Sequence, residues 1–283
     1  MQIINKIQET KALIRSWKKS GYSVGFVPTM GYLHAGHQSL IEQSVKENDK
    51  TVVSIFVNPT QFAPGEDLTH YPRDFDADKA LCAAAGAALI FSPDEAEMYT
   101  DSWCTFVDMT GVTKELCGKS RPTHFRGVCT VVLKLFHIIT PDRVYFGQKD
   151  AQQLAVIQRM VQDFNMEIEI IGCPIIREAD GLAKSSRNTY LSSAERKAAL
   201  VLSKAVFEGQ RLVASGERRV ETVVAAMKSI LAAEPLAKID YVEIVDRESM
   251  EKVEVVHGAI LAAVAVFIGK TRLIDNFIYE SGE

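Results

Sequence analysis

Residues Pro28-Thr29-Met30-Gly31-Tyr32-Leu33-His34-Ala35-Gly36-His37 carry the strongest chemical signal in the chain. They follow an apolar run, Val24-Gly25-Phe26-Val27, and lead into a helical pattern, Gln38-Ser39-Leu40-Ile41-Glu42. A strand that turns through glycines into a helix gathers unpaired backbone N–H groups and the positive end of the helix dipole at one point, a place suited to phosphate. Two histidines three residues apart share one side of the first helical turn. Imidazoles donate to phosphate oxygens and titrate near neutrality, so such a pair can steady the charge that develops when a nucleotide is attacked. A single histidine near a helix start is more often structural; the whole string is the specific feature.

Four further clusters could serve the same chemistry. Phe56-Val57-Asn58-Pro59-Thr60-Gln61-Phe62 places two amides just past an apolar run, where they could orient a hydroxyl or a carboxylate, although Asn-Pro is also an ordinary turn. Phe146-Gly147-Gln148-Lys149-Asp150-Ala151-Gln152-Gln153 ends a strand pattern and begins a helix. Gly147 permits close ligand approach, Lys149 can reach phosphates, Asp150 can cap the helix, and Gln153 shares a face with Lys149; a solvated Lys-Asp pair is the plainer alternative. Asp180-Gly181-Leu182-Ala183-Lys184-Ser185-Ser186-Arg187-Asn188 combines hydroxyls with two cations, as a triphosphate clamp would, or forms a plain linker. Arg121 to Gly127 is a second cationic loop. Two strings imitate a P-loop and fail it: Gly118-Lys119-Ser120 and Gly269-Lys270-Thr271 lack the earlier glycine, having Thr113 and Val264 there.

The elements that must position these residues alternate. Strand-like runs at Val24–Val27, Thr51–Val57, Ala88–Phe91, Arg143–Phe146 and Ile168–Ile171 are separated by helical patterns at 38–47, 75–85, 128–139 and 151–163. Apolar strands separated by helices predict a parallel sheet covered on both faces, with ligands bound beyond the strand carboxyl ends. The clusters after Val27, Val57 and Phe146 all fall there. Near residue 180 the pattern changes. Ser192-Ser193-Ala194-Glu195 is a capping box that starts a long helix to about Ala214, and Val220–Ala233 is a second helix. Three strand-like runs follow, Ile239–Val245, Ala259–Ile268 and Arg272–Ile278, with no helix between them. The expected fold is therefore α/β, a Rossmann-like doubly wound parallel sheet over residues 1–178, with a smaller C-terminal α+β domain over 179–283.

Composition narrows the function. The chain has 283 residues and a formal charge of -4, which argues against a nucleic-acid partner. No segment approaches the roughly 20 apolar residues of a membrane span, and the first residues do not read as a signal peptide. Five scattered cysteines, Cys82, Cys104, Cys117, Cys129 and Cys173, form no C-x-x-C pair and read as reduced cytoplasmic thiols.

Taken together, the strings resemble the pantothenate synthetases, the ATP-dependent pantoate–β-alanine ligases. His-x-Gly-His alone points only to the wider nucleotidyltransferase superfamily. Its combination with Phe-Val-Asn-Pro-x-Gln-Phe, Tyr71-Pro72-Arg73-Asp74, Phe-Gly-x-Lys-Asp and Ser-Ser-Arg-Asn is specific to this ligase family. The resemblance covers essentially the whole chain. It implies two half-reactions: pantoate attacks the α-phosphate of ATP, giving pantoyl adenylate and pyrophosphate, and β-alanine then displaces AMP. It also implies an ATP site of Met30, Gly31, Tyr32, Leu33, His34, Ala35, Gly36 and His37, with His37 the proton donor, joined by Gly147, Gln148, Lys149, Asp150, Ile176, Lys184, Ser185, Ser186 and Arg187. His34, His37, Lys149 and Arg187 would be catalytic; Gln61 and Gln153 would hold pantoate, Gln61 also meeting β-alanine. Mg2+ would accompany ATP on unassigned ligands, in a cytoplasmic homodimer. Two positions depart from common family forms: Lys184, where many relatives carry Met or Leu, and Gln148, where Glu is frequent. A different adenylating or cytidylyl-transferring enzyme would share the histidines without needing Gln61 and Gln153, and a nucleotide sensor would not need the intact cationic set.

Overall fold

The computed structural model describes residues 1–280. In chain order its first unit holds β1 (Gln2–Ile4), α1 (Ile7–Lys19), β2 (Val24–Thr29), α2 (Ala35–Glu47), β3 (Lys50–Ile55), α3 (Phe75–Ala84), β4 (Leu89–Phe91) and α4 (Glu95–Met98). A short helix, α5 (Leu116–Ser120), precedes α6 (His124–Ile139), β5 (Arg143–Gly147), α7 (Ala151–Asp163) and β6 (Glu169–Cys173). The strands pair in the order β1-β4-β3-β2-β5-β6, and every pairing is parallel. β1 and α1 lie outside the series that the apolar runs predict, because β1 is a three-residue, mostly exposed edge strand with no apolar alternation to reveal it.

The central strands have the double-sided burial of a covered parallel sheet. Val24, Phe26, Val27, Val52, Val53, Leu89, Ile90, Val144 and Tyr145 are all 0% exposed. Leu40 and Ile41 of α2, Cys82 of α3 and Ala85 at its C-cap pack against Val27, Val53 and Ile90 on one side. Each fully buried aliphatic side chain contributes about 1.5–3 kcal/mol, so the sheet's placement is strongly determined. Strands leave β2 in opposite directions, toward β3 on one side and β5 on the other. The topological switch point therefore lies between β2 and β5, where an open α/β sheet binds its ligand.

Among the described residues, the second compact unit gathers Thr110–Pro122 and Lys149–Ala155 with residues 175–280. Here α8 (Ser193–Ala198), α9 (Leu200–Ala214) and α10 (Val220–Ala232) pack on an antiparallel sheet of β7 (Ala237–Asp246), β8 (Ile260–Ile268) and β9 (Thr271–Tyr279). The Ser192 capping box forms as expected: the Glu195 carboxylate accepts from Ser192 N–H at 2.8 Å, and Ser192 Oγ accepts from Glu195 N–H at 3.3 Å. The long helix predicted from it is instead divided at Ala199, where Leu202 N–H bonds three residues back to the Ala199 carbonyl at 3.2 Å and tightens the turn. The two P-loop imitations fall as the missing glycines require. Lys119 and Ser120 end a five-residue helix, and Gly269-Lys270 is the turn between β8 and β9.

Candidate active site

The turn from β2 into α2 is held by its own backbone. Gly31 has φ +83° and Tyr32 φ +52°, two consecutive left-handed residues that reverse the chain before the helix. The second is unusual for a side-chain-bearing residue and must be stabilised from outside. Asp78, on α3, supplies that support. Its carboxylate accepts from Tyr32 N–H at 2.9 Å and from Leu33 N–H at 2.6 Å, while the residue is only 2% exposed. Burial pushes the Asp78 carboxyl above its ordinary range, and the two amide hydrogen bonds pull the other way without cancelling it.

His34 and His37 then cap α2 reciprocally. Gly36 N–H donates to His34 Nδ1 at 3.1 Å, and His34 N–H donates to His37 Nδ1 at 3.3 Å. A ring nitrogen that accepts from an amide carries no proton, so in each neutral ring the N–H sits at Nε2. The two rings lie 4.1 Å apart, centroid to centroid. Because His34 is the N-cap, the helix starts at Ala35, three residues earlier than the apolar pattern suggests.

Past β3, the two amides divide their roles. Asn58 is 1% exposed and saturated by protein partners. Its Nδ2 donates to Gln61 Oε1 at 3.0 Å and to the Gly127 carbonyl at 3.2 Å. Its Oδ1 accepts from Tyr99 OH at 2.7 Å and from Thr60 Oγ1 at 3.1 Å. It orients Gln61 and leaves no capacity for a ligand, so of the two readings open for Asn58 the structural one holds. Gln61 Nε2 meets Met30 Sδ at 3.3 Å, and the Gln61 carbonyl accepts from His124 Nδ1 at 2.9 Å. Gly127 makes this possible, because a Cβ there would strike the Thr60 backbone. The segment 121–127 is accordingly no single cationic loop: α6 begins at His124, four residues before the predicted start.

β5 ends at Gly147, on the other flank of the switch point, and Gln148 to Asp150 form one 3-10 turn before α7. The Lys149 ammonium lies 3.4 Å from Asp150, with the lysine side chain 20% exposed. Its carbonyl accepts from Asn276 Nδ2 at 2.9 Å. Gln153 is partly exposed on α7, whereas its neighbour Gln152 is buried and clamps the segment 112–118, donating to the carbonyls of Val112 and Glu115 at 3.0 and 2.8 Å.

The segment carrying Lys184 to Arg187 is held by ion pairs. Asp275, 1% exposed, takes Arg177 in a two-armed contact at 2.7 and 2.9 Å. Arg177 and Ala183 form an isolated bridge, and Lys184 N–H bonds to the Ile176 carbonyl at 2.9 Å. Glu178 gathers Arg196 at 2.7 Å, Asn188 at 3.1 Å and the Lys184 ammonium at 3.5 Å. Burial raises the Glu178 carboxyl, but these donors and cations outweigh it and hold it below its ordinary value. Lys184 is thus engaged by a carboxylate. Ser185 Oγ caps the short 3-10 turn Ser186–Tyr190 by accepting from Arg187 N–H at 3.3 Å.

A family profile described as pantoate-beta-alanine ligase matches residues 2–278. The pantothenate synthetase of Ruminiclostridium cellulolyticum is 58% identical over 279 residues, 99% of each chain. That of Enterococcus faecalis is 56% identical over 280 residues, covering 99% of each. The chain belongs to the pantoate–β-alanine ligase family. A crystal structure of pantothenate synthetase from Thermus thermophilus superimposes with a TM-score of 0.93 at 42% identity, over 98% of this chain and 99% of that one. The pantoate-beta-alanine ligase of Francisella tularensis, solved with beta-gamma ATP and beta-alanine, aligns with a TM-score of 0.81 at 36% identity, over 100% of this chain and 99% of that one.

In this ligase the residues assigned from sequence fall on both units. Met30 to His37, Gln61, Gly147 and Gln148 belong to the first; Lys149, Asp150, Gln153, Ile176 and Lys184 to Arg187 belong to the second. Sequence reasoning missed the residues that hold them: Asp78, Asn58 as a support, Gln152, Arg177 with Asp275, and Asn276. Only the run of consecutive polar residues inside the strand pattern at 275–276 could have flagged any of these.

Proposed function

We propose that the chain joins pantoate to β-alanine in two half-reactions driven by ATP. A pantoate carboxylate oxygen attacks the α-phosphorus, the bond to the bridging oxygen breaks, and pyrophosphate leaves. The β-alanine amine then attacks the acyl carbon, loses a proton, and expels AMP. The reading rests above all on the histidine pair: its capping geometry uses each Nδ1 as an acceptor and leaves Nε2–H as the donor of each ring at the end of β2, next to the switch point. Preorganised donors of this kind favour developing charge without having to reorient.

The remaining roles follow from chemistry and family resemblance. Met30 to His37 bind ATP through the turn, with His34 and His37 at the phosphates and His37 the proton donor. Gly147, Gln148, Lys149 and Asp150 also bind ATP, and the Lys149 ammonium neutralises charge at the α-phosphate. Ile176 packs at adenine, and Lys184, Ser185, Ser186 and Arg187 close on the phosphates. Gln61, already oriented by Asn58, and Gln153 hold pantoate. Magnesium would enter with the triphosphate: among the described residues no three His, Cys, Asp or Glu side chains form a metal-holding group, and Mg2+ favours phosphate oxygens and water. The resemblance further supports a homodimer, the scattered cysteines a cytoplasmic setting, and the change of sequence pattern near residue 180 domains at 1–178 and 179–283; among the described residues no helix is long and apolar enough to cross a membrane.

The test is pyrophosphate release with pantoate against other small carboxylates, with and without β-alanine. A single turnover of pyrophosphate from pantoate and ATP alone is expected, with sustained turnover and AMP only when β-alanine is added. Equal release with unrelated carboxylates, or none with pantoate, overturns the assignment.

A further inference from the structure

Strand β9 departs from the apolar pattern at two consecutive positions. Neighbours along a strand point to opposite faces, so Asp275 and Asn276 put polar groups on both faces at once, at 1% and 4% exposure. Buried polar side chains are unfavourable unless hydrogen-bonded, so their partners should explain them. Those partners lead to the two segments of the second unit given cationic roles above. Asn276 Nδ2 donates to the Lys149 carbonyl at 2.9 Å. Asp275 holds both arms of Arg177, which also donates to the Gly181 carbonyl at 3.1 Å. That anchors the stretch 177–183, closed by the Arg177–Ala183 bridge, from which Lys184 to Arg187 emerge. Asp275 Oδ1 further accepts from Asn276 N–H at 2.8 Å, so the two anchors are themselves coupled.

We propose that Asp275 and Asn276 are positioning residues for the adenylation half-reaction. Asn276 sets the backbone from which the Lys149 ammonium is presented, and Asp275, through Arg177, sets the base of the segment bearing Arg187. The inference rests on the roles given above to Lys149 and Arg187. A polar pair that only stabilised the strand would have no reason to find its partners on these two segments.

Asn276→Leu keeps the heavy-atom count and branching and removes the donor. Single-turnover pyrophosphate release from pantoate and ATP, with kcat and the KM for ATP, is measured for Asn276→Leu, Lys149→Ala and the double variant, beside their Tm values. Misplacement of a reacting group by about an ångström costs on the order of 10²-fold, so Asn276→Leu should be about ten- to a hundredfold slow, mainly in kcat. Since it acts through Lys149, the double variant should be no slower than Lys149→Ala alone. Independent, multiplying losses, or Asn276→Leu at wild-type speed beside a slow Lys149→Ala, overturn the inference alone. Lys149→Ala at wild-type speed instead overturns the role of Lys149 and the inference with it. Arg177→Lys keeps the charge but loses the fork, and its cycle with Arg187→Ala is read by the same rule. If Asn276→Leu does not fold, Asn276→Ala replaces it.

Discussion

Two of the segments assigned to the triphosphate, the turn after β2 and the stretch through Ser185, Ser186 and Arg187, are built on opposite principles. The turn is fixed by backbone geometry: two left-handed residues, a reciprocal histidine cap, and one buried carboxylate receiving two amides. The second segment is fixed by charge, through Arg177 on Asp275 and through Arg196 and Lys184 on Glu178. A backbone-built site presents its donors whatever the salt concentration. An ion-paired segment weakens as salt screens its exposed pairs and as acid neutralises its carboxylates. The difference teaches that, on the proposed roles, the donors to the nucleotide sit on a rigid turn while the cations for its phosphates stand on a support that solution conditions can loosen.

The largest effects should come from removing a donor on the β2 turn and, outside both segments, the ammonium placed at the α-phosphate. His37→Ala and Lys149→Ala should each slow adenylate formation by on the order of 10²–10³. His37→Ala also removes an N-cap partner and should lower stability by about 1 kcal/mol. Wild-type pyrophosphate release in either variant, from protein that is folded by circular dichroism, contradicts the donor roles.

Asp78→Ala comes next. It leaves the Tyr32 and Leu33 amides without their acceptor, a loss of about 1–3 kcal/mol for a buried unsatisfied group, and should relax the turn so that activity falls although no substrate contact is deleted. Its pH signature is distinctive. Asp78 is raised above 3.8, so its ionised form is disfavoured by folding, and its contribution to stability improves as pH falls through the raised value. Asp78→Asn should abolish that component. An Asn variant whose Tm follows the wild-type pH curve rules out Asp78 as its source.

How much of this the sequence disclosed follows from the same contrast. Local rules marked the turn, because glycine, histidine and the onset of helical periodicity are all near neighbours. They also placed α7 at 151–163 and the Ser192 cap correctly. Most of the supports were invisible because they are long-range: Asp78 lies 46 residues from Tyr32, and Asn276 lies 127 from Lys149. Helix α6 was placed too late for a related reason, since its first turn contains a glycine whose disfavoured helical propensity is offset by tertiary packing on Thr60.

That packing gives a smaller prediction. Gly127→Ala would drive a methyl group into the Thr60 backbone, which cannot swing aside as a side chain could. Overpacking of this kind costs about 1–3 kcal/mol. The Asn58–Gln61 contact should shift with it, raising the KM for pantoate more than that for ATP. Equal changes in the two KM values would place the disturbance elsewhere.

The mildest prediction tests the ion-paired side directly. Lys184 faces Glu178 at 3.5 Å with about a third of its side chain exposed, and such pairs contribute about 0–1 kcal/mol. Lys184→Met should therefore change adenylation by less than about threefold and Tm only slightly, because Arg196 continues to hold Glu178 at 2.7 Å. Glu178→Gln should matter more, and with the opposite pH sign to Asp78. A carboxyl held below its ordinary 4.5 contributes stability that is present above that value and lost as pH falls through the depressed one. Removing it should flatten the acid limb of the Tm curve below about pH 4.5 and leave the neutral plateau lower. If Lys184→Met proves as damaging as Lys149→Ala, the ammonium leaves Glu178 during turnover and acts on phosphate, and the ion-paired segment is then a working part of the chemistry as well as its support.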